Sequence, residues 1–193
     1  MDSGFRRNDI AGRTQSKIPL PAHLLYLRNM RPRPTARILL FDAANRLLLI
    51  RMHDPAVGGA DGAVLHDAYW VTIGGAIEPG ETPEDAARRE LIEETGLTDA
   101  RLGPPVWYTE HILTVRGEKR LLQETFFVAH TAAGELATAG WTDLERAVIR
   151  DMRWWALPDL QESGDIFFPS SLRRHLPALL ESEIPSTVIR IEP

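Results

Sequence analysis

The stretch from residue 75 to residue 97, GAIEPGETPEDAARRELIEETGL, constrains the fold of this chain more than any other part of its sequence. It contains signals for both ends of one helix. Thr82 suits the N-cap position, Pro83 suits the first helical position, and Asp85 stands where the acid of a capping box is found. Gly96 can adopt the left-handed conformation that often ends a helix. The stretch therefore predicts a glycine-bounded loop and then a helix that begins at Pro83 and ends before Gly96.

This helix carries three carboxylates on one face. At about 100° per residue, Glu90, Glu93 and Glu94 fall within an arc of roughly 100°. Their mutual repulsion is relieved by a divalent cation such as Mg²⁺, which prefers oxygen ligands. Arg89 is adjacent to Glu90 and four residues before Glu93, so it can hold a carboxylate in place. The pattern indicates a metal site, although an acidic helix face that only contacts solvent has the same composition.

The complete spacing distinguishes the two interpretations. It reads Gly-x5-Glu-x7-Arg-Glu-U-x-Glu-Glu-x-Gly-U, where U is apolar, and seven fixed residue types at fixed spacing are very improbable by chance. In this pattern, called the Nudix box below, the chain resembles the Nudix hydrolases at Gly75, Glu81, Arg89, Glu90, Leu91, Glu93, Glu94, Gly96 and Leu97. One departure is Ile73, since the residue two before the first glycine is usually proline. Every charged position of the pattern is intact.

The resemblance implies a fold, a reaction and a set of site residues. The expected fold is α/β, an α/β/α sandwich around a mixed β-sheet. The expected reaction is hydrolysis of a pyrophosphate bond in a nucleoside diphosphate linked to another group, with Mg²⁺ or, as a substitute, Mn²⁺. Glu93 and Glu94 are then metal ligands, Glu90 is a ligand or the general base, and the carbonyl of Gly74 is a main-chain ligand. Arg89 orients Glu90.

An acid outside the Nudix box is a further candidate ligand. Glu124 shares one face of a predicted strand with Leu122, Phe126 and Val128. An acid in an otherwise apolar row is costly unless it is paired or bound to a metal. In many relatives an acid on a strand after the box contributes to metal binding. The alternative is that the strand faces solvent at this position.

The remaining candidates support the site or contact the substrate. Gly75 and Glu81 have supporting roles, the latter through loop bracing or a water-mediated metal contact. Trp70 and Phe127 are aromatic residues that can stack on a nucleobase, although strand aromatics more often belong to the core. Arg51 can contact phosphate. Arg37 and Arg120 have the same potential, but a single arginine is more often a surface charge.

Composition limits the class of protein. The chain has 193 residues, of which 44% are hydrophobic and 25% charged, which suits one globular domain. It has no cysteine, so a disulfide framework and a thiolate zinc site are excluded, in agreement with a cytoplasmic protein. No apolar run approaches the roughly 18 residues of a membrane span. We expect a monomer or homodimer that acts on a small nucleotide-type substrate.

The charge is unevenly distributed. Residues 1–33 have seven basic and two acidic residues, a net of +5, whereas the remainder has fifteen basic and twenty-five acidic residues, a net of −10. An acidic body needs a cation to bind polyphosphates, and it argues against a broad nucleic-acid-binding face.

The chain divides into one domain and two tails. Residues 1–33 are basic, contain several breakers and predict a poorly ordered tail, and Met30 precedes the first strand. The domain is expected over 34–185 and a C-terminal tail over 186–193. Strands are predicted at 36–42, 46–51, 69–73, 106–115, 121–130 and 152–157, further helices at 158–164 and 172–181, and a loop that borders a site at 52–68.

Two other functions have the same fold. A non-catalytic Nudix domain that senses a ligand usually has a degenerate box, whereas all acids are present here. Isopentenyl-diphosphate isomerase relies on a cysteine, which this chain lacks. The sequence therefore favours a pyrophosphohydrolase and leaves its nucleotide substrate open.

Overall fold

The structure, a computed structural model, describes residues 30–132, 136–137, 140–181 and 184–193. Within these ranges nine strands form one sheet, and four helices pack on it. The strands are β1 (Pro32–Phe41), β2 (Leu47–Met52), β3 (Val57–Gly58), β4 (Tyr69–Ala76), β5 (Arg101–Val115), β6 (Glu118–His130), β7 (Ile149–Trp155), β8 (Ile166–Phe168) and β9 (Ile189–Arg190). The helices are α1 (Pro83–Thr95), α2 (Asp143–Val148), α3 (Leu157–Glu162) and α4 (Leu172–Glu181).

The sheet is mixed, as the resemblance implied. The apolar strand β1 is central: it runs parallel to β6 and antiparallel to β2 and β4. The strands β4 and β8 are also parallel, whereas β5 and β6 form a long antiparallel hairpin. The second half of β1 is covered on both faces, and its last four residues, 38–41, are all apolar and buried.

Helices cover both faces of the sheet, so the predicted α/β/α sandwich is confirmed. On one face Ala87 and Leu91 of α1 pack with Ile38 of β1. On the other face Leu160 of α3 and Leu172 of α4 pack with strand residues in a second core. Burying one large aliphatic side chain contributes roughly 1.5–3 kcal/mol, so these two cores hold the layers together. Of the helices described, none has the length and apolar character needed to cross a bilayer.

The bounds of α1 agree with the prediction because they depend on local signals. The Thr82 hydroxyl accepts a hydrogen bond from the Asp85 N–H at 3.1 Å, and this is one of the two hydrogen bonds of a capping box at the start of the helix. At the other end the Gly96 N–H donates to the carbonyl of Ile92. The helix α4 also has its predicted bounds, and α2 is a further helix between β6 and β7.

Both predicted tails need correction where the structure describes them. Residues 1–29 lie outside the described ranges, but β1 already begins at Pro32, so the end of the predicted tail belongs to the sheet. The segment 186–193 packs on the domain. Its strand β9 runs parallel to β5, Ile191 is buried, and the Ser171 hydroxyl donates to the carbonyl of Glu192. The short strands β3, β8 and β9 were not predicted.

Candidate functional site

Two glycines near the end of β4, Gly74 and Gly75, allow its backbone to approach α1. Gly74 has a φ of +129°, and a Cβ there would lie 2.2 Å from the carbonyl oxygen of Ala36. A Cβ at Gly75 would lie 2.3 Å from Oε1 of Glu90. Since only glycine permits both approaches, the Gly74 N–H can donate to Oε2 of Glu94 at 2.6 Å. Gly74 and Gly75, the first residue of the Nudix box, therefore fix where the carboxylates of Glu94 and Glu90 lie.

Arg89 joins the loop to the helix. Its Nε and Nη2 donate to the two carboxylate oxygens of Glu81 at 2.8 and 3.1 Å. Its Nη1 donates to Glu90 at 2.7 Å and to Glu93 at 3.0 Å, and Nη2 also donates to the carbonyl of Ala76. The hydrogen bonds from Arg89 lower the pKa of Glu81 to about 2. Arg89 therefore links Glu81 in the loop to Glu90 on the helix.

The three helix carboxylates have different surroundings. Glu94 is 7% exposed, and burial raises its pKa to about 8 although the Gly74 N–H favours the ionised form. Burial also raises the pKa of Glu90, against the effect of Arg89. The side chain of Glu93 is 53% exposed. The helix face thus contains two carboxylates whose ionised form is disfavoured and one that is solvated.

These residues fit a hard divalent cation by their chemistry. The donors are the carboxylates of Glu90, Glu93 and Glu94 and the carbonyl of Gly74, all of them oxygens. A cation there would compensate the negative charge of the buried Glu94 carboxylate. Among the described residues no group of three or more His, Asp or Glu side chains is gathered closely enough to hold a metal. The fit therefore rests on the donor set and on the charge of the buried carboxylates.

Glu124 is buried, as its apolar row predicted, and its partner is an arginine. Nε of Arg37 donates to Oε1 of Glu124 at 2.7 Å, and Nη1 donates to the carbonyls of Thr72 and Gly74, both at 3.3 Å. Nδ1 of His111 lies 3.7 Å from the other oxygen of Glu124. Arg37 therefore connects Glu124 to the backbone of β4 at Gly74.

Sequence reasoning underestimated Arg37. We treated it as a candidate phosphate contact that is more often a surface charge, whereas the structure places it against the backbone of β4. One signal for this was present, because Arg37 interrupts a strand that is otherwise predicted to be buried. Its partner was not visible in the sequence, since Glu124 lies 87 residues away.

Of the three predicted substrate contacts, Phe127 lies apart, whereas Trp70 and Arg51 are neighbours on β4 and β2. Trp70 is 2% exposed, and its ring packs edge-on against Trp155 at a centroid distance of 5.0 Å. Phe127 is 4% exposed and belongs to the core on the opposite face, beneath α1. Neither ring presents a face on which a base can stack, which favours the core interpretation. Arg51 instead lines a cavity near the start of β4.

Comparisons with known proteins agree with this architecture. A family model described as NUDIX domain matches residues 31–175. Over 96 residues the chain is 34% identical to the oxidized purine nucleoside triphosphate hydrolase of Danio rerio, a match that covers 45% of this chain and 56% of that protein. The match thus spans about half the length of that relative.

Solved structures show the same fold at low sequence identity. The MutT NUDIX hydrolase from Burkholderia pseudomallei has a TM-score of 0.51 and 24% identity, over 77% of this chain and 98% of that one. An ADP-ribose pyrophosphatase from Streptococcus suis 89-1591 has a TM-score of 0.52 and 14% identity, over 83% of this chain and 100% of that one. At these identities the likeness concerns the fold alone. The family model, however, covers most of the chain and includes the whole Nudix box. The chain therefore belongs to the Nudix hydrolase family.

Proposed function

We propose that this protein hydrolyses a pyrophosphate bond in a nucleoside diphosphate linked to another group, with Mg²⁺ as its cofactor. One observation carries the proposal: Arg89 donates hydrogen bonds to Glu90 and Glu93, on the same helix face as the buried carboxylate of Glu94. Glu94 in turn accepts a hydrogen bond from the Gly74 N–H of β4. A solvated acidic helix would not need this network. The name of one relative supports the substrate class, since the Danio rerio protein acts on oxidized purine nucleoside triphosphates.

The residues divide the chemistry among them. Glu93, Glu94 and the carbonyl of Gly74 would hold the cation, which would neutralise phosphate oxygens and activate water. Glu90 is a further ligand or the general base. Arg89 fixes the orientation of Glu90, and Glu81 fixes Arg89. The raised pKa of Glu90 makes it a stronger proton acceptor than an ordinary carboxylate, which suits a general base.

A phosphate-release screen tests the proposal. The purified protein is offered purine nucleoside triphosphates, including oxidised ones, nucleotide sugars, dinucleoside polyphosphates and ADP-ribose, with Mg²⁺ and with Mn²⁺. Glu93→Gln and Glu94→Gln each remove a charged ligand at almost constant volume. We expect kcat to fall by about a thousandfold in each variant, because a metal contributes several kcal/mol to stabilising phosphoryl transfer.

A matched control lies on the same helix. Glu84 is exposed and pairs with Arg88, away from the proposed ligands, so Glu84→Gln should keep the wild-type rate. For Glu90→Gln, the Mg²⁺ concentration that gives half activity separates the roles: a lost ligand raises it, whereas a lost base leaves it unchanged. A Glu93→Gln, Glu94→Gln double variant that retains the wild-type rate would refute the scheme. A wild-type protein without activity on the whole panel would favour the non-catalytic alternative.

A further inference from the structure

A shallow surface pocket of about 320 Å³, called the cavity below, lies apart from the Nudix box. It is formed where β2 ends, where β7 begins and where the loop before β4 returns to the sheet. Its lining is mostly basic or titratable as a cation, with a single acid: Arg51, His53, His66, Asp67, Ala68 and Arg150. This composition contrasts with the rest of the domain, because the chain after residue 33 has a net charge of −10. A basic concavity in an acidic body favours an anionic ligand.

Arg51 provides the second observation. Its Nε is buried and has no hydrogen-bond partner among the described residues. The nearest acid is Asp165, whose Oδ1 lies 3.9 Å from Nη2, at the limit of an ion pair. The side chain is kept close to the ring of Trp70, with Cζ 5.9 Å from the ring centre. The side chain as a whole is 41% exposed, so its terminal donors are open to an acceptor from outside the chain.

The cavity and Gly74, next to the proposed metal ligands, lie at different positions along the sheet. Arg51 pairs with Trp70 in the register of β2 and β4, and Gly74 is four residues further along β4. At 3.3 Å per residue the separation is roughly 13 Å. One phosphate group therefore cannot contact both places. An anion bound in the cavity is not the group at which the proposed hydrolysis occurs.

We propose that this cavity binds a phosphate group that does not react. Two guanidiniums offer the planar donor pairs that match phosphate oxygens, and the two histidines add further donors around it. The binding itself does not depend on the proposed hydrolysis. Only the source of the phosphate does: it is either a second phosphate of the substrate or a free phosphate ion.

Titration of the full chain with inorganic phosphate tests the proposal. The protein is treated with EDTA, so that the box binds no phosphate through a metal, and the ring signals of His53 and His66 are followed by NMR at constant ionic strength. We expect saturable binding in the millimolar range or tighter. Arg150→Gln, on an exposed position of β7, and Arg51→Gln should each weaken it at least about tenfold.

Two further variants make the test specific. Asp67→Asn removes the acid of the lining and should tighten phosphate binding. Arg101→Gln, an exposed arginine on β5 outside the cavity, should leave it within about twofold of the wild type. The proposal is overturned if phosphate does not saturate the wild-type protein, or if Arg51→Gln and Arg150→Gln bind it as the wild type does.

Kinetics then identify the source of the phosphate. With the best substrate of the screen, an Arg150→Gln variant that raises KM and keeps kcat shows that the bound phosphate belongs to the substrate. An unchanged KM together with weakened phosphate binding shows that the cavity takes a free ion. Both results support the site. If the screen finds no substrate, the proposed function fails while the phosphate titration still decides this proposal.

Discussion

Replacing Arg37 by methionine should destabilise the domain, because it leaves the carboxylate of Glu124 buried without its cation. The two side chains are 20% and 7% exposed, and their closest atoms are 2.7 Å apart. Removing one partner of a buried pair costs about 3–5 kcal/mol, and we expect about 3 kcal/mol here since water reaches part of Arg37. For a domain of this size the melting temperature should fall by about 6–12 °C.

The double variant isolates the pair. Arg37→Met with Glu124→Leu replaces a buried ion pair by apolar side chains, which is often neutral or stabilising. It should therefore be more stable than Arg37→Met alone, with a coupling energy of about 2 kcal/mol or more in urea unfolding. Glu124→Leu alone should cost less than Arg37→Met, because Arg37 keeps the carbonyls of Thr72 and Gly74 as acceptors.

The matched control and the kinetic readout complete this test. Arg101→Met changes an exposed arginine on β5 and should stay within about 0.5 kcal/mol of the wild type. Below its melting temperature, Arg37→Met should also lower kcat by about tenfold, because Arg37 tethers the Gly74 peptide that holds Glu94. The reasoning is refuted if Arg37→Met is as stable as Arg101→Met, or if the double variant shows simple additivity.

Three further predictions concern stability. Burial raises the pKa of Asp42, but hydrogen bonds from Arg46 and Ala44 outweigh the effect of burial and leave the pKa lowered. Asp42 therefore stabilises the fold at pH values above its unfolded pKa. In urea unfolding at several pH values, the stability advantage of the wild type over Asp42→Asn should disappear as the pH falls below about 4. A chain that ends at residue 185 loses buried Ile191 and β9, and its unfolding free energy should fall by at least about 1.5 kcal/mol; an unchanged value would show that the segment is a tail after all. A chain that begins at Met30 should keep its melting temperature and activity, and a fall of several degrees would contradict this.

The parts of the fold that follow from local signals could be predicted from the sequence. The bounds of α1 depend on Thr82, Asp85 and Gly96, which lie within or next to the helix itself. Apolar runs likewise located β1, β2, β4 and β6. The strands β8 and β9 are only three and two residues long and are held by parallel pairing with β4 and β5, so their own residues show no recognisable period.

The site was predictable in its acids and less so in its cations. The Nudix box predicted the positions of Glu90, Glu93 and Glu94. It also predicted the contact of Arg89 with these acids, because Arg89 is four residues from Glu93. The role of Arg37 depends on the register between β1 and β6, in which Thr35 lies opposite Glu124. No spacing along the chain shows that register, so the partner of Glu124 emerged only from the sheet.

The distribution of these cations also supports the proposed metal site. Arg37 pairs with Glu124, and Arg89 pairs with Glu81, Glu90 and Glu93. Within the described residues Glu94 forms no ion pair, and its carboxylate accepts a hydrogen bond from the Gly74 N–H. It is therefore the buried acid whose charge the protein compensates least, and a divalent cation beside it would supply the missing charge.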